Sequence, residues 1–309
     1  MSLLRKGKSV FGVDSNLNIY NVESEKTEDA AQTDMPDQDP LSSHALFELR
    51  LFSTCIFVFA ALLVQGLLTF YTAFLLKTFE YSIQYRLFTI NYLSESATSW
   101  TLDQVYLVYA SGPLILSVFG YLLLVTLKKI TTASWKIKLT MAWMAFLMVN
   151  AIPCGLIAGV FFFDSLGVAF QWSVNSFIVR VLIALAVFLI LVLFSRYWSR
   201  LFIKASYTSV FLKNRKNQKA FLINVYFRPW IYGSVILMFF NWPFYSFFWP
   251  ASLLSLGYLA ISVLNQSKKF SKIHIMKSEK RSFTTRSQIL YFVIAIALIW
   301  VAGTFRINL

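Results

Sequence analysis

Residues Leu51 to Leu76 read LFSTCIFVFAALLVQGLLTFYTAFLL, an apolar run with no charged side chain. A helix needs ~20 mostly apolar residues to cross a bilayer, and this run exceeds that. Working outward, similar runs cover 106–127, 139–163, 173–194 and 287–303. The whole chain has the matching bias. Of its 309 residues, 58% are hydrophobic and 14% charged, where a soluble domain has ~45–50% and ~25%. These counts exclude an ordinary water-soluble globule and predict an all-α, polytopic transmembrane helical bundle.

The apolar stretch 225–264 is too long for one span. Asn241-Trp242-Pro243 and Trp249-Pro250 interrupt it, and proline removes a backbone donor and restricts its predecessor. The reading is two short helices, 229–242 and 249–265, forming a hairpin. The basic residues fix its sidedness. Arg196, Arg200 and Lys213 belong to the loop before it; Lys268, Lys269 and Lys280 belong to the loop after it. Cytoplasmic loops concentrate Lys and Arg, so both loops are placed inside and an even number of crossings separates them. Lys128, Lys129, Lys136 and Lys138 join the same side, and 164–172, with no Lys or Arg, is placed outside. The expectation is about seven spans with the N-terminus cytoplasmic, or five plus a re-entrant hairpin. Sidedness of this kind fits a plasma membrane or a bacterial inner membrane.

Residues 1–48 form a polar, acidic segment with a basic tip at Arg5, Lys6 and Lys8. Too little apolar surface is present to offset its ordering entropy. It is read as a cytoplasmic tail, either disordered or folded along a partner, leaving 49–309 as the membrane domain. Ser42-Ser43 is placed as a cap leading into the first span. The segment 77–105, rich in Tyr, Phe and Trp, fits an element lying at the membrane interface.

Soluble-type chemistry finds little purchase. Cys55 and Cys154 both lie in apolar runs, which excludes a disulfide framework. His44 and His274 are far apart, and no HExxH or CxxC exists, so no cofactor or protein-built metal site is expected. No phosphate-binding glycine loop appears. The net charge of +14 is an orientation signal in basic blocks rather than the footprint of a nucleic-acid binder. Those blocks suit anionic lipid headgroups at the cytoplasmic loops.

Inside the spans, Arg180 is the one clear charge. It is placed near mid-depth of the fourth span, facing Asn150, Asn175 or carbonyls freed by Pro153. Two readings stand: a substrate- or partner-binding arginine, and a structurally satisfied one. Gly155 and Gly159 give a GxxxG spacing for close helix packing. Gly112-Pro113 thins the second span in the same way.

Two of these segments carry a resemblance. Gly112-Pro113-Leu114-Ile115 followed by Leu116, and Asn150 with Pro153 followed by Ala158-Gly159, are similar to the second and third motifs of the site-2 proteases, which are intramembrane zinc enzymes. Leu116 stands where the family has Asn, Ala158 where it has the metal-binding Asp, and the first span lacks HExxH. The resemblance covers about 106–163 and implies a relative without zinc ligands, using the fold for binding.

The functional expectation is a non-catalytic membrane subunit or scaffold, partnered with other membrane proteins through its tail, basic loops and small-residue helix faces. The alternative is a transporter or channel with Arg180 and Asn150 at the midplane. An enzyme using His274 and Glu279 in a Lys-rich loop ranks third.

Overall fold

The chain divides between Pro40 and Leu41. The structure, a computed structural model, describes residues 43–86, 89–92, 100–130, 134–163, 165–205, 215–241 and 307–308. The expected tail lies outside the described residues except for its last turns. So do the expected spans 249–265 and 287–303 and the basic loop 268–286.

Helix α1 covers Ser43–Thr78, and its membrane-spanning candidate, Leu46–Thr78, begins earlier than expected. Thr54, Thr69, Thr72 and Thr78 return their hydroxyls to the carbonyl four residues back, which satisfies a polar group in an apolar setting. The helix closes with Glu80 in the left-handed region, φ 63. Tyr81 N donates to Leu76 O at 3.1 Å and Glu80 N to Lys77 O at 3.0 Å, a pair that satisfies the last carbonyls.

Beyond α1 the chain forms a small antiparallel sheet ordered β2-β1-β3. Strand β1 is Ile83–Arg86, β2 is Thr89–Tyr92 and β3 is Ile307–Asn308. Tyr85 pairs with Ile90 on one side and Ile307 on the other. The segment read as interfacial is therefore in part a β-hairpin added to the helical bundle. Ala73, Leu76, Ile83 and Val108 form a small apolar core beneath it, and Tyr81 stacks on Trp100 at 4.7 Å.

Helix α2 runs Leu102–Lys129. Thr101 caps it through a reciprocal pair, Gln104 N to Thr101 Oγ1 at 3.3 Å and Thr101 N to Gln104 Oε1 at 3.1 Å. The expected third span, 139–163, is instead a bent pair, α3 Trp135–Val149 and α4 Ala151–Ala158, meeting at 42°. The sequence 164–172, expected as an outside loop, holds a short helix α5, Leu166–Ser173, whose first five residues are all buried. The fourth span moves with it: α6 runs Phe177–Lys204, not 173–194. The expected short helix 229–242 is the last part of a longer one, α7. It runs Arg215–Leu222, widens at Ile223–Phe227 and continues as Arg228–Asn241.

Four described helices are long and apolar enough to cross a membrane, or five if the bent pair is one span. Helices α2 and α3 pack along each other, and α1 lies between α3 and α7. The main core sits at the end of the bundle where α1 begins. Trp143, Trp198, Tyr226, Phe52, Phe57, Phe146, Phe202 and Phe221 are its largest fully buried side chains.

Candidate functional site

Three prolines organise the interior. An α-helix needs a donor four residues after every carbonyl, and proline has none. Pro113 leaves Tyr109 O without its α-helical donor, Pro153 leaves Val149 O and Pro229 leaves Val225 O. Each helix is distorted just ahead of its proline. In α2, Tyr106–Ala110 widens to π geometry, with Ser111 N bonded to Tyr106 O. In α7, Ile223–Phe227 does the same, with Arg228 N bonded to Ile223 O. Between α3 and α4 the chain bends at Asn150. Such turns survive in membranes when neighbouring side chains take up the freed groups.

That uptake is clearest at Val225. Ser53 on α1 donates its hydroxyl to Val225 O at 2.5 Å and accepts from Trp143 Nε1 on α3 at 2.9 Å. Ser53 and Trp143 are fully buried. One hydroxyl thus links three helices. Trp143 lies face to face with Tyr226 at 5.2 Å and edge-on to Phe57 and Phe202 at 4.9 Å. Phe146 meets Trp198 edge-on at 4.9 Å. The Tyr226 hydroxyl, inside this cluster, has no hydrogen-bond partner. Two residues earlier, Asn224 donates to Ala220 O at 2.8 Å and accepts from Arg228 Nη1 at 3.1 Å.

At the α3–α4 bend, Asn150 is buried and spends its amide on Phe146 O at 2.7 Å. Ser117 on α2 donates to Met148 O at 3.2 Å. Near Pro113, Ser111 donates to Leu107 O and lies 3.3 Å from Tyr71 Oη. Near each proline a Ser or Asn side chain meets a backbone carbonyl, and at Pro229 that carbonyl, Val225 O, is the one the proline frees.

The residues singled out from the sequence fall in three places. Gly112 and Pro113 are buried, with Gly112 against Leu68 and Tyr71 of α1. Asn150, Pro153, Gly155 and Gly159 follow one another through the bend. A Cβ on Gly159 would sit 2.7 Å from Gly167 Cα, and one on Gly155 would sit 2.9 Å from Leu166 Cδ2. The small-residue face of α4 is therefore filled by α5 of the same chain and is not open to another protein. Gln171 on α5 reinforces the contact by donating to Gly159 O at 2.9 Å.

Arg180 lies elsewhere. It is the fourth residue of α6, and its Cζ is 5.8 Å from the Phe177 ring centroid. Its Nε is buried without a partner. No hydrogen bond to Asn150 forms, and Asn175 is exposed in the segment before α6. A 28-residue helix is about 42 Å long, more than the ~30 Å hydrocarbon core. Its first turn thus belongs near one interface rather than at mid-depth.

Among the described residues no group of three His, Cys, Asp or Glu side chains comes together as metal ligands. The polar groups that do converge are hydroxyl, indole and amide, which hold carbonyls and do not transfer protons readily at neutral pH. Ser53, Trp143, Asn224 and Tyr226 were not singled out from the sequence; Pro229 was the available signal, since it orphans Val225. Comparison with protein-family models, with curated proteins and with solved structures finds no match.

Proposed function

We propose that this chain is a non-catalytic integral membrane subunit that docks other membrane proteins along α6. One observation carries the reading. From Phe177 to Ile190 no residue of α6 is buried. In its most apolar window only 6% is buried, against 67% for α1. A lipid-facing helix normally buries one stripe against its own bundle. Here α6 buries side chains fully only in its later turns, from Leu191 to Ile203; its first turns half-bury one stripe, Arg180, Ile183, Ala184, Val187 and Phe188, and leave the remaining apolar side chains exposed. A large exposed apolar surface marks an interaction site, and Arg180, with its unpartnered Nε, lies on it.

The topology supports the same architecture. Strand β3 pairs with β1, so it lies on the hairpin side of the bundle, opposite the start of α1. An odd number of crossings satisfies this, either seven spans or five plus a re-entrant hairpin. Arg50, Lys128 and Lys136 collect over aromatic rings at the end where α1 begins, which fits a cytoplasmic N-terminus. The transporter reading is less well supported, because Asn150 is spent on its own helix and Arg180 sits at a helix end.

Single cysteines at Leu182 and Leu189 in native membranes test the reading. Cross-linking to a second polypeptide, lost in Arg180→Glu, is the expected result. A chain that stays monomeric in native-lipid discs, with both cysteines reporting only lipid, would sink the proposal.

A further inference from the structure

Helices α1 and α7 pack closely where α1 begins. Ser53 bonds to Val225 O, and Gly233 is wedged against Phe57 and Val58. On the outward side of this seam stand two arginines. Arg50 Cζ lies 5.1 Å from the Phe47 ring centroid and 5.9 Å from that of Tyr232. Arg228 is exposed, and Asn224 Oδ1 holds its Nη1 at 3.1 Å. Arg228 and Tyr232 are one helical turn apart and share a face. Arg50 of α1 thus lies beside Tyr232, while Asn224 holds the Arg228 guanidinium one turn earlier on α7.

The surroundings are apolar and open. Phe47 is 52% exposed, Leu51 41%, Tyr232 45% and Val235 60%. Carboxylates are scarce: α7 has none, and α1 has only Glu48. Two residues before Arg50, Glu48 lies on a different face of the helix. Two forked cations along one seam, one of them beside an exposed tyrosine, bordered by open aliphatic side chains, match one ligand chemistry. Guanidinium pairs take phosphate oxygens bidentately, and Leu51 and Val235 offer a surface for hydrocarbon.

We propose that the seam of Arg50, Arg228 and Tyr232 binds the phosphate of an anionic phospholipid, from the leaflet at the starting end of α1. The acyl chains lie along Leu51 and Val235. This site is independent of the α6 reading. It also differs from diffuse attraction at basic loops, because it is built on two packed helices. Asn224 aims one guanidinium, and the wedge at Gly233 fixes the helix spacing.

The full chain in detergent is titrated with phosphatidylglycerol and, separately, phosphatidylcholine of identical acyl chains, and bound lipid is read by native mass spectrometry. The wild type should retain phosphatidylglycerol preferentially. Arg50→Gln and Arg228→Gln should each weaken retention about tenfold, the loss of one charge-assisted bond. Arg228→Lys, which keeps the charge and loses the fork, should fall between. Thermal unfolding without lipid checks that each variant folds; a glutamine variant that does not fold is replaced by the lysine variant, for which undiminished retention refutes the site. Equal retention of the two lipids, or unchanged retention in the double glutamine variant, overturns the proposal. So does displacement by inorganic phosphate alone, which assigns the site to a free anion, and so does recovery of a protein helix in the seam.

Discussion

Replacing Ser53 by alanine removes one oxygen and leaves two buried groups without partners. Val225 O has already lost its α-helical donor to Pro229, and among the described residues Ser53 is the acceptor that Trp143 Nε1 finds. Each unsatisfied buried group costs about 1–3 kcal/mol, so the upper range is about 2–6 kcal/mol. Hydrogen bonds measured inside membrane bundles fall lower, at about 0.6–1.7 kcal/mol each. The two bonds together therefore predict a loss of about 2 kcal/mol. The assay is reversible unfolding by SDS in mixed micelles, followed by far-UV circular dichroism. A second arm isolates the carbonyl. Pro229→Ala restores an N–H at position 229, so the double variant should lose about 1 kcal/mol less than the sum of the singles. A Ser53→Ala loss below about 0.5 kcal/mol, the range of neutral surface changes, would refute the proline–serine reasoning. Strict additivity with Pro229→Ala would refute it too.

Other outcomes follow from the same contacts. Tyr226→Phe removes a buried hydroxyl with no partner; it should be neutral or stabilise by about 1 kcal/mol in the same assay, and a clear loss would reveal a bound water or ligand. Gly233→Ala drives a methyl into the Phe57 ring and should cost about 1–3 kcal/mol, with Phe57→Leu relieving part of it. Glu80→Gly frees a left-handed position, φ 63, and should raise stability by about 1 kcal/mol. Cysteines placed at Lys136 and at Asn308 should react with a membrane-impermeant maleimide from opposite sides; labelling from one side would refute the odd crossing number.

Much of the membrane architecture is legible because apolar runs and lysine placement are direct consequences of the bilayer. The run at 51–76 lies within α1, and Pro113 and Pro153 both mark real discontinuities, while the expected break after Asn241 lies outside the described residues. The failures have a common cause. Hydropathy cannot separate a buried helix from a lipid-facing one, so Leu166–Ser173 was merged partly into a loop and partly into the next span. That shift moved the start of the helix to Phe177 and carried Arg180 from mid-depth to a helix end. Gly155 and Gly159 do pack closely on a helix, as their spacing suggests, and the helix they meet is α5 through Leu166 and Gly167. The hairpin carried a visible signal in the β-prone residues of Ile83–Arg86 and Thr89–Tyr92, outweighed by the aromatic content of the whole segment. Ser53 was illegible because a single hydroxyl among apolar residues declares its role only when the proline opposite it is known.

The pairing of β3 with β1 also constrains the order of events during synthesis. The hairpin of β1 and β2 emerges soon after α1, yet its third strand is translated only after every helix described here. Until then one edge of β1 stands open, an invitation to mispairing with another chain. Closing the sheet brings Tyr85 to Ile307, two segments from opposite ends of the described chain, so this pairing is among the last contacts that synthesis makes available.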